Sequence, residues 1–276
     1  MKKVNVVCLL AVVAVGALLL SAGTVRAMQR LPPLPYDCRA AEETADPQAK
    51  VSLYTRCLEY GDFYAEYQSN EIYFHRANAL FELRRYAEAR ADYNRFIQAT
   101  GGHVWALHQR GLTHQALGQR KPALADFDKA LESNSDATAV LFDRGQLLAD
   151  MGQYKAALKD LRRAETLAAE YFPTNTSAAN ALAWLLATCP DPKILDGREA
   201  ARLALKAVSI DKNAENLDTL AAAQARKGDF KSAVETQQAA LDMLRKDKAE
   251  QKTIEEFIAR LSLYKEGKPY NQRRSE

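Results

Sequence analysis

Histidine, tryptophan and cysteine are scarce in this chain: four, two and four residues respectively out of 276. The histidines are His75, His103, His108 and His114. None of them shows the i, i+4 spacing by which one helix face presents two imidazoles to a metal. There is no H-E-x-x-H, no G-x-S-x-G and no glycine-rich phosphate loop. Zinc hydrolase, serine hydrolase and nucleotide-binding chemistries therefore lack their usual carriers, so the expectation is no catalytic residue, no metal and no cofactor. An excess of charge of one sign is missing too. Lys plus Arg number 38 against 35 Asp plus Glu, and Lys2, Lys3 and Arg26 lie in the first 27 residues, leaving the remainder formally neutral. With no basic stripe and no stacking-aromatic motif, nucleic acid is not an expected partner.

One long apolar run exists, and it stands at the start. Lys2 and Lys3 precede an unbroken apolar stretch from Val6 to Leu20, followed by Ser21, Ala22, Gly23, Val25 and Ala27. A basic n-region, a 15-residue apolar region and small residues before the cut describe a secretory signal over 1–27, cleaved after Ala27. The alternative is an uncleaved anchor that tethers the chain to the inner membrane, although the run is short of the roughly 20 residues that a span requires. Export to the periplasm or beyond is the expectation. Pro32, Pro33 and Pro35 then make 28–35 a stiff, non-helical spacer.

The centre of the chain repeats. Arg76, Arg110 and Arg144 are spaced by 34 residues, as are Ala89, Ala123 and Ala157, and Asp92, Asp126 and Asp160. Units 70–103, 104–137 and 138–171 abut without insertion. A fixed period of this size signals a stack of identical supersecondary units rather than a domain with one centre. Each unit reads as a helix pair. In the second, Leu107, Gly111, His114 and Leu117 share a face and Gly118 closes the helix. Pro122 stands in the first turn of the next helix, whose apolar stripe is Leu124, Phe127, Ala130 and Leu131. Gly111, Ala123 and Ala130 fall where the two axes approach closely. The Arg and Asp series recur together, as expected of structural ion pairs: Arg76 with Asp92, Arg110 with Asp126, Arg144 with Asp160.

This small–aromatic–small spacing in a 34-residue unit resembles the tetratricopeptide repeat (TPR), and the "RG…AL.D…AL" wording is similar to that of bacterial members. The resemblance implies an all-α fold: an α-solenoid of helix hairpins in a right-handed superhelix with a C-terminal capping helix. It also implies a scaffold or assembly factor that binds a protein or peptide along its concave face. The first helices of TPR units line that face through positions 2, 5, 9 and 12. Carried onto this sequence they are Glu71, Phe74, Asn78 and Phe81; Trp105, His108, Leu112 and Gln115; Phe142 and Gln146; and Trp184. The other reading of Trp105 and Phe74 is packing between neighbouring units. Phe74, His108 and Phe142 stand where a lysine would be needed to clamp a C-terminal carboxylate, so that mode of recognition is not expected.

Flanking segments extend the pattern. Residues 36–61 resemble a degenerate first hairpin with Asp46-Pro47 opening its second helix; Cys38 and Cys57 lie on its two helices, either as a disulfide or as two buried thiols. Residues 176–210 resemble a further unit, with helices at 178–188 and 199–210 and a long loop at 189–197 that carries Cys189. That loop and its thiol offer the one rival reading, an enzyme or small-ligand site. Residues 214–247 form another unit. Residues 249–264 give a capping helix whose apolar stripe is Ile254, Phe257, Ile258, Leu261 and Tyr264, with Lys252, Glu255, Glu256 and Arg260 outward. Residues 265–276 are a tail.

Overall fold

The computed structural model of the chain describes residues 36–59 and 66–272. The signal segment 1–27, its cleavage point after Ala27, the spacer 28–35 and residues 60–61 of the first hairpin lie outside the described residues. Among the described residues there are thirteen α-helices and no strand, and no helix is long and apolar enough to cross a membrane. The chain divides into two compact units, Met1–Ala99 and Thr100–Glu276, each with its own core.

The first unit contains α1 (Tyr36–Glu43), α2 (Pro47–Glu59), α3 (Glu66–Glu82) and α4 (Tyr86–Thr100). Asp46 caps α2, its carboxylate accepting hydrogen bonds from the backbone N–H groups of Gln48 and Ala49, and Pro47 fills the first helical position, where no N–H is needed. Cys38 on α1 and Cys57 on α2 are paired as a disulfide with their Cα atoms 5.2 Å apart. The core gathers Val51, Ala77, Leu80, Ala89 and Tyr93. Arg76 reaches Asp92 through two hydrogen bonds, of 2.7 and 2.9 Å, and Thr55 of the preceding hairpin through a third.

The second unit runs through α5 (Val104–Ala116), α6 (Arg120–Ser133), α7 (Thr138–Asp150), α8 (Tyr154–Tyr171), α9 (Ser177–Thr188), α10 (Gly197–Ile210), α11 (Ala214–Arg226), α12 (Phe230–Lys246) and α13 (Gln251–Lys265). Consecutive helices pair as hairpins, and α9 packs against α8, α10 and α11. The continuous core links Leu148, Leu161, Leu182, Leu186, Leu203 and Tyr264. The small residues have a measurable reason. A Cβ on Gly111 would overlap the Phe127 ring, and one on Gly145 would stand 2.8 Å from Leu161 Cγ. A methyl group would therefore force these helix axes apart.

Turns inside the hairpins recur in register. Gly118, Gly152 and Gly228 hold φ of +72°, +74° and +88°, the left-handed conformation that ends a helix. Arg84 takes the same place one period earlier, with φ +58° and a side chain's strain in addition.

The arginine–aspartate ladder has the expected pairing. Arg110 holds Asp126 at 2.8 and 2.6 Å, and Arg144 holds Asp160 at 2.7 and 2.9 Å. It is less exposed than surface pairs, since the three carboxylates are buried. Hydrogen bonding to these carboxylates raises the Arg76 and Arg144 guanidinium pKa values further above their already high ordinary value. Arg144 also reaches back to Asp128 of the preceding hairpin at 2.8 Å, so a rung joins units as well as helices.

Two expectations about the last helices need correction. The helix before the C-terminal pair begins at Gly197, two residues earlier than expected, because the Asp196 carboxylate accepts from the N–H groups of both Arg198 and Glu199. On the capping helix, Arg260 points inward and is buried, while Ile258 is exposed. The apolar stripe leaves room for one guanidinium because Asp218 is there to receive it at 2.8 Å.

Candidate interaction groove

The residues carried over to the concave face fare differently in the two units. In the first, Phe74 packs on Phe96 and Tyr93, with ring centroids 5.0 and 6.0 Å apart, and Phe81 packs on Tyr86 at 5.3 Å. The Asn78 side-chain oxygen accepts a hydrogen bond from the Tyr93 hydroxyl at 2.7 Å. Glu71 lies 3.9 Å from His75, one turn along its own helix. Phe74, Asn78 and Phe81 are thus engaged in their own hairpin.

In the second unit Trp105 is 53% exposed, unusual for the largest apolar side chain. His108, one turn on, is buried instead: its Nε2 lies 2.6 Å from an Asp143 carboxylate oxygen, and its ring rests near Phe127. The imidazole expected as a groove donor therefore serves to join α5 to α7. Leu112, Gln115, Phe142 and Trp184 are half-buried, and Gln146 is exposed.

Two clefts open among these helices. The first, about 1160 Å³, is lined by His103, Trp105, Phe142, Leu167, Tyr171 and Phe172, among others. Tyr171 and Phe172 are 62% and 55% exposed; they stand at the end of α8, which runs to 18 residues where α6 has 14. The second cleft, about 760 Å³, is lined by Gln115, Phe142, Gln146, Asn180, Trp184 and a set of carboxylates. Phe142 and Ser177 line both, so the two openings adjoin. The sequence reading missed Tyr171 and Phe172; two adjacent aromatics just past the last apolar position of a repeat were the available sign.

The far end of the second cleft is built by the last helix and the tail. Arg260 lies over the Trp184, Phe257 and Tyr270 rings at 5.5, 4.7 and 5.6 Å. Trp184 and Tyr270 are 5.9 Å apart. Arg226 donates to the Ala187 and Tyr270 carbonyl oxygens, and the Gln272 N–H donates to the Thr188 carbonyl.

Cys189, the basis of the rival reading, is fully buried, and burial raises its thiol pKa. A nucleophilic cysteine requires the opposite, partial exposure and a lowered pKa. Among the described residues, no group of three or more His, Cys, Asp or Glu side chains is disposed to hold a metal.

A family model described as "Tetratricopeptide repeat" matches residues 71–102, 106–136 and 138–171. Over those three segments the chain carries tetratricopeptide repeats. Outside the matched segments α9 packs on α10 and α11 on α12 as further helix pairs. Solved structures agree at the level of fold. One is YrrB, described as a TPR protein with an unusual peptide-binding site: 21% identity, 69% of this chain and 91% of that one, TM-score 0.54. A TPR protein from Parabacteroides merdae shares 20% identity over 92% of this chain and 94% of its own, TM-score 0.55. The C-terminal part of a TPR protein from Cytophaga hutchinsonii shares 16% over 84% and 85%, TM-score 0.58. None of the curated proteins matches the chain in sequence.

Proposed function

We propose that this TPR protein is an exported interaction scaffold or assembly factor that holds a peptide or protein segment against the first helices of its second unit. The observation that carries this reading is Trp105, half out of the surface at the mouth of a cleft that shares Phe142 with a second cleft reaching Trp184. Exposed aromatics in adjoining concave openings are what a partner's side chains need: large apolar area already fixed in place, with little entropy left to lose on binding. A structurally similar protein, YrrB, is described as having a peptide-binding site, which agrees with this use of the fold.

The test is affinity capture from envelope extracts with the native chain and with Trp105→Ala/Gln146→Ala. Both residues are exposed and each lines a different cleft, so helicity should not change while partner recovery is lost. Undiminished recovery would refute the groove. Export rests on residues 1–27, and N-terminal sequencing of the mature protein tests it. A start at Met28 is expected, whereas retention of residues 1–27 would make the same segment an anchor.

A further inference from the structure

The two clefts differ in charge, and the difference specifies the occupant. The second is lined by five carboxylates, Asp150, Asp211, Glu215, Asp218 and Glu256, against one guanidinium, Arg260. Arg260 is already compensated by Asp218. Among the described residues no ion pair involves Asp211, Glu215 or Glu256, so three of the carboxylates lining this cleft lack a cationic partner although the chain beyond residue 27 is formally neutral. The first cleft is lined by two carboxylates, Asp136 and Glu170, and one guanidinium, Arg163, which pairs with Asp136 at 2.8 Å, and Trp105, Tyr171 and Phe172 give it an apolar character.

A second observation concerns the same cleft. The cleft already lodges one arginine of its own chain. The Arg260 guanidinium lies over the faces of Trp184 and Tyr270 while its Nε donates to the Asp218 carboxylate. Aromatic faces and carboxylates thus hold a cation here in the way they would hold another.

Resting on the groove reading above, we propose that the occupant is a basic peptide segment of a partner protein. It sets an apolar side chain among Trp105, Tyr171 and Phe172, and lysine or arginine side chains beside Glu215 and Glu256. An acidic segment would meet like charge at the Trp184 end, and a purely apolar one would leave these carboxylates unanswered. The attraction is solvent-exposed and acts within about one Debye length, roughly 8 Å at physiological salt. It therefore tunes choice of partner more than total affinity.

The test uses three synthetic peptides of equal length, each with one phenylalanine: lysine-rich, glutamate-rich, and glycine-serine. Binding to the purified chain is followed by intrinsic fluorescence. The Trp105→Phe and Trp184→Phe variants each leave a single tryptophan, at one end or the other of the groove. The lysine-rich peptide should bind best, perturb both reporters and weaken as salt rises. Glu215→Gln/Glu256→Gln should weaken it by about threefold to tenfold, within the range for two exposed ion pairs, and leave the glycine-serine peptide unaffected. Equal binding of all three peptides, or no effect of the double substitution, overturns the charge assignment and leaves the groove standing. Binding of none overturns it as well, and capture with Trp105→Ala/Gln146→Ala then shows whether the groove reading fails with it.

Discussion

Replacing Arg144 with methionine keeps the aliphatic stem and deletes the guanidinium. Asp160, buried between α7 and α8, would lose hydrogen bonds of 2.7 and 2.9 Å at once, and the rung to Asp128 would go with them. Removing one partner of a buried pair costs about 3–5 kcal/mol, because the other charge is left desolvated without compensation. The Arg144 side chain is 22% exposed, so water can reach the gap, and the lower end, about 3 kcal/mol, is the expected loss. Asp160→Leu should cost less, about 1–2 kcal/mol, since Arg144 keeps Asp128 and solvent as partners. The double variant removes both charges and should be less damaged than Arg144→Met alone. A double-mutant cycle in urea, read by far-UV circular dichroism, measures the coupling, provided the denaturant slope is unchanged across variants. A loss under about 1 kcal/mol for Arg144→Met would mean that the pair behaves as an exposed one. Additive single effects would show that it sets nothing between the helices.

Three further outcomes follow from named contacts. Gly111→Ala should destabilise by about 1–3 kcal/mol through its overlap with Phe127, and Gly145→Ala by less because Leu161 can change rotamer; thermal melts check the order. Arg84→Gly should raise stability by up to about 1 kcal/mol by relieving a left-handed backbone, whereas Gly118→Ala at the equivalent turn should lower it; a melting shift in the same direction for both would contradict the turn assignment. Burial makes the Cys189 thiol hold its proton above the ordinary value of 9.0. Its contribution is therefore fully present below that value and is lost as pH rises from there towards the folded value. Cys189→Ala should flatten that alkaline decline, and alkylation of the native thiol should wait on unfolding.

The 34-residue period by itself fixed the helix hairpins, their small contact residues and the pairing of Arg76, Arg110 and Arg144 with their aspartates. Each of these depends on spacing along one or two helices, and spacing is written in the chain. Orientation about a helix axis was less legible where a residue can satisfy either side. Arg260 sits on the boundary of its helix's apolar stripe, and only the position of Asp218, 42 residues earlier in sequence, turns it inward. His108 occupies a position that lines the concave face in the repeat's geometry, yet Asp143 on the next hairpin draws its ring into the packing. Phe74 and Phe81 were placed in the groove by position alone and were claimed by Phe96, Tyr93 and Tyr86. The clefts themselves, and the gathering of Glu215, Glu256 and Trp184 around one of them, belong to the tertiary structure. They form where helices far apart in sequence converge, and no period in the sequence encodes that convergence.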